Sequence, residues 1–300
     1  MLKHSWMTLT PALALVLALA AAPAAAQTTP PAPQAAQPGA RTASVNTAPR
    51  VDAAAMVRPI EMHDSVWIEN LTMLEVRDLI KAGSTTALIL TGGIEENGPY
   101  LTTGKHNNVL QATGESIARA LGKTLVAPIV TLEPGNPLRP NLSPGTIVLA
   151  PATYKAVLTD MAHSLKSQGF TNVVMLGDSG GNLNPMKEVA ATVNTAWAGS
   201  GARVHFIPEY YNYADVEAFE ERELGIHEKL EGLHDDYYIS AIIATVDTDA
   251  IRMPERVKAG KFVINGVPLA PIEKTIANGK RMVEFRTQVT VAAIKASMAK

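Results

Sequence analysis

Apolar positions along the chain fall into two alternating rhythms. Leu74, Val76, Leu79 and Ile80 follow helical spacing and predict a helix over Met73 to Ala82. Thr86 to Leu90 is a short continuous apolar run that reads as a buried strand. The rhythm then repeats, with a helix over Val109 to Leu121 that stops at Gly122 and a strand over Thr124 to Ile129. Tyr154, Val157, Leu158, Met161 and Leu165 predict a helix that Gly169 ends. Val173 to Leu176 reads as a strand, Pro185 to Trp197 as a helix and Val204 to Ile207 as another strand. Pro271 to Met298 reads as one long helix, with Gly279 as the point where it would break. Helix and strand alternating in this way predict an α/β fold, a largely parallel sheet covered by helices on both faces.

Two stretches interrupt the pattern. Leu132 to Ser143 is proline-rich and irregular, as in a loop that packs over a sheet edge or covers a site. Glu209 to Ser240 is aromatic and strongly charged, which suggests a lid or a subunit contact rather than core.

The first 57 residues have a different character. Lys3 and His4 precede the apolar run PALALVLALAAAP, which ends in Ala24-Ala25-Ala26 before Gln27. A basic start, a short apolar centre and an A-x-A ending predict a signal peptide over residues 1–26, cleaved near Ala26, and a periplasmic or secreted product. Residues 27–57 are rich in Pro, Ala, Thr and Gln and are expected to form a linker, because they bury too little to offset ordering entropy. The folded domain is expected over 58–300.

Cysteine is absent, which removes thiolate metal sites and cysteine nucleophiles. A net charge of −2 gives no reason to expect nucleic acid or, after signal cleavage, a membrane as partner. A small-molecule substrate is the expected partner.

The chemistry concentrates in two glycine-rich stretches, each after a strand-like run. They are TGGIEENGPYLTTGKHNN, ending at Asn108, and GDSGGN, from Gly177 to Asn182. Loops at the carboxyl ends of parallel strands are where such sheets bind ligands. Glu95, His106 and Asp178 form a candidate ligand trio for a hydrolytic metal, with zinc favoured and manganese or iron also compatible. On spacing alone the same residues could instead cap helices. In the metal reading, Glu96 or an acid of the Asp235–Asp236 pair, with Asp236 preferred, takes a proton from the metal-bound water, and His234 protonates the departing nitrogen. Asn97, Asn107, Ser179 and Asn182 are candidate substrate contacts. Gly177-Asp178-Ser179-Gly180-Gly181 also satisfies the G-x-S-x-G pattern of a serine nucleophile. Against that, the next helix is expected only at Pro185, and no obvious Asp and His follow in the usual order beyond the crowded His234-Asp235-Asp236.

The motifs together resemble the creatininase (creatinine amidohydrolase) family over about Trp67 to Met298. Gly92 to Leu101 is similar to the family's G-S-x-E-Q-H-G-P-H-L, Ser143 to Ile147 to F-P-G-T-I, and Gly177 to Asn182 to N-G-H-G-G-N. Ile251-Arg252-Met253 and Ile264-Asn265-Gly266-Val267 fit as well. The resemblance implies a three-layer α/β/α sandwich with a mostly parallel central sheet and a divalent metal site at the strand ends. It also implies hydrolysis of a non-peptide C–N bond and a homo-oligomer, commonly a hexamer. Glu95 matches the family's first glutamate ligand. Asn97 stands where the family has a histidine, His106 where it has a bridging aspartate, and Ser179 where it has a second histidine. Gly181 stands where some members place a further glutamate. His234 matches the histidine of an H-A-G-E stretch whose glutamates are replaced by Tyr237 and Ile239. The pattern implies a divergent branch, with one metal held by Glu95, His106 and Asp178.

Overall fold

A computed structural model describes residues 52 and 54–299. The expected signal peptide and most of the expected linker lie outside the described residues. The helix α1 spans Met73–Lys81, and β1 follows at Thr86–Thr91. Next come α2 (Lys105–Leu121), β2 (Thr124–Val126), α3 (Pro151–Gln168) and β3 (Asn172–Gly177). Then follow α4 (Leu183–Ala196), β4 (Arg203–Phe206), α5 (Tyr213–Phe219) and α6 (Tyr237–Ala244). The chain closes with α7 (Met253–Lys258), the short strands β5 (Val263–Ile264) and β6 (Val267–Pro268), and α8 (Ile272–Met298).

The four long strands form one parallel sheet in the order β2-β1-β3-β4. Alternate residues of β1 point to opposite faces, so Ala87 and Ile89 pack with Tyr154, Leu158, Met186 and Val189 of α3 and α4. Leu88 and Leu90 pack on the other side with Leu110 and Ile117 of α2 and Ile294 of α8. Both faces are covered, which is why the strand reads as an unbroken apolar run. A third apolar cluster joins α6, α8 and their surroundings. Among the described residues no helix is long and apolar enough to cross a membrane.

Local sequence explains several element ends. Thr72 caps α1: its hydroxyl accepts from the Glu75 amide while the Glu75 carboxylate accepts from the Thr72 amide. Gly169, in the left-handed region, closes α3 as the sequence predicts. The helix α2 begins four residues earlier than its apolar spacing suggests. Lys105, His106, Asn107 and Asn108 are polar and no side chain caps the helix at Gly104, so the pattern reads as loop. The early start matters, because it puts Lys105 and His106 in the first turn of α2, at the sheet's carboxyl edge. The expected strand over Thr124 to Ile129 ends at Val126, and Val130 meets Thr91 in a single bridge.

Two expectations change. Glu209 to Ser240 is not all lid: Tyr237, Ile239 and Ser240 open α6 and are buried, the first two within the third cluster. The long helix α8 is continuous through Gly279. A Cβ at that position would lie 1.9 Å from the Ala241 carbonyl oxygen, so glycine is needed there for α6 and α8 to cross closely. Gly279→Ala should therefore destabilise the protein, by about 1–3 kcal/mol of overpacking, despite alanine's better helix propensity. Denaturant unfolding of that variant checks this; an unchanged midpoint would mean the two helices can move apart freely.

Candidate active site

The loops after β1 and β3 and the first turn of α2 meet at the carboxyl edge of the sheet. Gly92 lets them close up, since a Cβ there would fall 2.0 Å from Asn107 Oδ1. At the centre lies His106, only 6% exposed. Its Nδ1–H donates to Asp178 Oδ2 at 2.9 Å and its Nε2–H donates to Glu95 Oε1 at 2.8 Å. Both ring nitrogens face carboxylates, so both carry a proton and the ring is an imidazolium. Burial alone would depress the His106 pKa, but its two carboxylate partners hold it up at about 9. Burial would raise Glu95, yet the hydrogen bond and charge of His106, with the charge of Lys105, bring it down to about 2.

Asp178 is fully buried and takes further support from two side chains. Arg286 of α8, also fully buried, donates from its guanidinium to Asp178 Oδ1 at 3.0 Å. Tyr213 donates its hydroxyl to Oδ2 at 2.5 Å, and the Arg286 guanidinium lies over the rings of Tyr210 and Tyr213 at 4.5 and 4.8 Å. Asn212 Oδ1 and the Tyr210 carbonyl accept from the same guanidinium. Against the cost of burial, the positive charge of Arg286 holds the Asp178 carboxyl below its ordinary range.

On the other flank, the buried Lys105 ammonium contacts Glu95 Oε1 at 3.1 Å and donates to His234 Nε2 at 3.1 Å. His234 donates from Nδ1 to the Glu96 carbonyl at 3.0 Å and sits exposed at the rim with φ 54°. A cavity of about 300 Å³ opens between these groups, lined by Glu95, Lys105, His106, Ser179, His234 and Asp236 with Tyr211, Tyr213 and Tyr238.

Glu95, His106 and Asp178 thus come together from distant parts of the chain, but as hydrogen-bond partners of one another. Of the expected catalytic residues, His234 and Asp236 line the cavity. Glu96 does not: its carboxylate is exposed and accepts from the Thr146 hydroxyl, which holds it below the ordinary range. Of the expected substrate contacts, Ser179 lines the cavity while three asparagines serve the loop scaffold. Asn97 donates to the carbonyls of Glu95 and Thr102, Asn107 to that of Thr131, and Asn182 to those of Thr91 and Gly92.

Sequence reasoning missed four residues. Glu133, in the proline-rich loop, accepts a hydrogen bond from the Ser179 hydroxyl, and burial raises its pKa. Its Oε2 lies 3.6 Å from where a Gly181 Cβ would be, so a carboxylate occupies the space beside position 181 by another route. Arg286, Lys105 and Tyr213 are the others. Lys105 alone had a sequence signal, as the neighbour of His106.

The charged segment before α6 holds a second buried acid. Glu220 is 1% exposed, its Oε1 has no hydrogen-bond partner, and burial beside Glu228 raises its pKa to about 9. Its unfolded value is near 4.5, so the native state holds the extra proton, and stability falls as pH rises from 4.5 to about 9. Glu220→Gln weakens that dependence, part of which stays with the neighbouring Glu228. It should raise the melting temperature by a few degrees at pH 8 and by less at pH 5; an equal gain at both would contradict the assignment.

A parallel sheet whose glycine-rich strand-end loops enclose a polar cavity defines a three-layer α/β protein with a ligand site at its carboxyl edge. A family model described as creatininase, creatinine amidohydrolase, matches residues 69–292, and the chain belongs to the creatininase family. Its fold is similar to that of a solved structure named "Creatininase Mn", at 17% identity and a TM-score of 0.59, over 77% of this chain and 98% of that one. It is also similar to that of a mutant creatininase described as "Zn-Zn type", at 16% identity and a TM-score of 0.58, over 78% and 98%. A putative creatinine amidohydrolase from Bacteroides fragilis NCTC 9343 matches at 17% identity and a TM-score of 0.53, over 78% and 98%. No curated protein matches the chain by sequence.

Manganese and zinc belong to the first two of those proteins by name, but the donors in this chain do not fit a divalent ion. A histidine ligand must offer a ring nitrogen lone pair, and both nitrogens of His106 are engaged as donors. Lys105 takes the Glu95 oxygen that faces His106, and Arg286 and Tyr213 take Asp178. Among the described residues no group of three or more His, Asp or Glu side chains is arranged to hold a metal ion.

Proposed function

We propose that this chain is an amidohydrolase that cleaves a non-peptide C–N bond, of the cyclic amide kind, in a small polar substrate held in the strand-end cavity. The observation that carries the reading is the Ser179–Glu133 contact at the cavity wall, beside the buried cations Lys105 and His106. Ser179 Oγ attacks the substrate carbonyl carbon and its proton passes to Glu133. The C–N bond then breaks as that proton returns, by way of the cavity, to the departing nitrogen. Water hydrolyses the acyl-serine in the reverse sense, with Glu133 again taking the proton. Lys105 has three N–H groups, of which Glu95 and His234 engage two, so one is left to polarise the carbonyl oxygen. No step runs through a metal.

The test is a screen of small cyclic amides and ureides with the purified protein, combined with mass spectrometry of the quenched reaction. Turnover with an acyl adduct on the Ser179 peptide supports the proposal; turnover that persists in Ser179→Ala overturns it.

A second reading follows from the internal pairing of the site, where Glu95, His106, Asp178 and Arg286 all have partners already. A site so closed in on itself suits a protein that binds a small amide without turning it over. Ligand-induced thermal shifts with no product formed would favour that reading.

Export and assembly belong to the same proposal. The basic start, apolar run and Ala24-Ala25-Ala26 support cleavage near Ala26 and a periplasmic or secreted product, and the family resemblance supports a homo-oligomer. An exported product that begins at Gln27 is the expected result of N-terminal sequencing.

A further inference from the structure

We propose that two buried cations, Lys105 and Arg286, with the His106 ring hydrogen-bonded between their carboxylate partners, stand in for divalent ions in this chain, so that its strand-end site works free of bound metal. The inference shares its cavity with the proposed function but does not depend on turnover.

A metal-binding hydrolase site collects carboxylates and neutral imidazoles because a doubly charged ion must be neutralised by its ligands. Here the half-buried carboxylate of Glu95 and the fully buried one of Asp178 face the cations Lys105 and Arg286 and the ring nitrogens of His106 instead. Lys105 is 2% exposed, His106 6% and Arg286 0%. Each of these three side chains is matched in geometry to a carboxylate oxygen: Lys105 and His106 to Glu95 Oε1 at 3.1 and 2.8 Å, His106 to Asp178 Oδ2 at 2.9 Å, and Arg286 to Asp178 Oδ1 at 3.0 Å. A divalent ion entering this group would have to displace at least two cations and would meet their repulsion at short range.

The sources of the cations make the arrangement coherent. Lys105 and His106 come from the first turn of α2, while Arg286 comes from the middle of α8. Arg286 is further fixed by Asn212 Oδ1, the Tyr210 carbonyl and the faces of two tyrosines. Such a fixed, planar cation is well suited to a permanent place in a buried ion network. Ser179 offers only a hydroxyl, and that hydroxyl donates to Glu133, the carboxylate nearest to position 181. The cation that reaches the cavity is then Lys105, which lines it and keeps an N–H left over for a carbonyl oxygen.

The test reads metal rather than activity. The full chain is loaded with excess Zn²⁺ or Mn²⁺, desalted into metal-free buffer and subjected to elemental analysis, and its melting temperature is measured with each metal and with EDTA. The expected result is below about 0.1 ion per chain, with melting unchanged to within about 1 °C under all conditions. One or more tightly held ions per chain, lost in Glu95→Gln, would overturn the proposal. A gain-of-binding arm tests the substitution itself. Lys105→Met removes one cation and keeps the aliphatic stem, and it should acquire a zinc-dependent rise in melting temperature of a few degrees. A folded Lys105→Met protein as indifferent to zinc as the parent would also overturn it. A metal-free protein that hydrolyses nothing would sink only the enzymatic reading, and a metal-loaded hydrolase only this one.

Discussion

Arg286→Met should lower the melting temperature by on the order of 10 °C, the largest loss of stability expected from a single substitution in this protein. Arg286 and Asp178 are both fully buried and joined at 3.0 Å. Removing the guanidinium leaves Asp178 with His106 and Tyr213 but without its strongest positive partner. Breaking a buried pair in this way typically costs about 3–5 kcal/mol, because the remaining charge has no solvent to turn to. Methionine keeps most of the volume, so the loss reports on charge more than on packing. Adding Asp178→Asn should recover part of it, since the double variant no longer buries an unmatched carboxylate. Thermal unfolding of the two single variants and the double one measures this. Strictly additive losses would mean that the pair is not the unit described here.

The second large effect concerns turnover. Ser179→Ala should reduce kcat/KM by at least about 10³-fold, and Glu133→Gln by about 10²- to 10⁴-fold, the range typical of a lost nucleophile or general base. Both substitutions are nearly isosteric, so the melting temperature should change far less than for Arg286→Met. The pH profile gives a further check. Glu133 must be ionised to take the serine proton, and burial raises its pKa. Activity should therefore fail on acidification at a higher pH than an ordinary glutamate would dictate. A Glu133→Gln protein with full activity and an unaltered acidic limb would remove Glu133 from the reaction.

The sheet was legible because its strands are buried on both faces, so local composition and burial agree. Ala87 to Leu90 could be read as a strand without knowing what covered it. Elements whose limits depend on tertiary partners were harder. The first turn of α2 carries four polar residues that periodicity assigns to loop, and it is helical in a context where His106 is held between Glu95 and Asp178. In α6 a charged and aromatic lead-in hid a buried helix.

The site was legible by half. Glu95, His106 and Asp178 could be picked out because each follows or borders a glycine-rich strand end, and the structure brings them together. Their chemistry could not, because it is set by residues with no local mark. Arg286 lies 108 positions from Asp178 in the middle of a long helix. Glu133 is one acid in a proline-rich loop, 46 positions from Ser179. An arginine on a helix ordinarily faces solvent, and this one is turned inward because α8 packs against α2, α6 and the Pro208–Tyr210 turn. The asparagines mislead for a related reason. Polar side chains in glycine-rich loops suggest ligand contacts, yet tight loops also leave carbonyls that need donors, and Asn97, Asn107 and Asn182 fill that need.

His106 is a doubly donating link between two carboxylates that other protein cations already neutralise. A crystal structure of the protein grown with excess zinc, with anomalous data collected at the zinc edge, tests that most directly. The expected outcome is no anomalous peak within ligand distance of Glu95, His106 and Asp178, with both imidazole nitrogens still in hydrogen-bonding contact with the carboxylates. A well-occupied peak ligated by those three side chains, with Lys105 swung away, would contradict it.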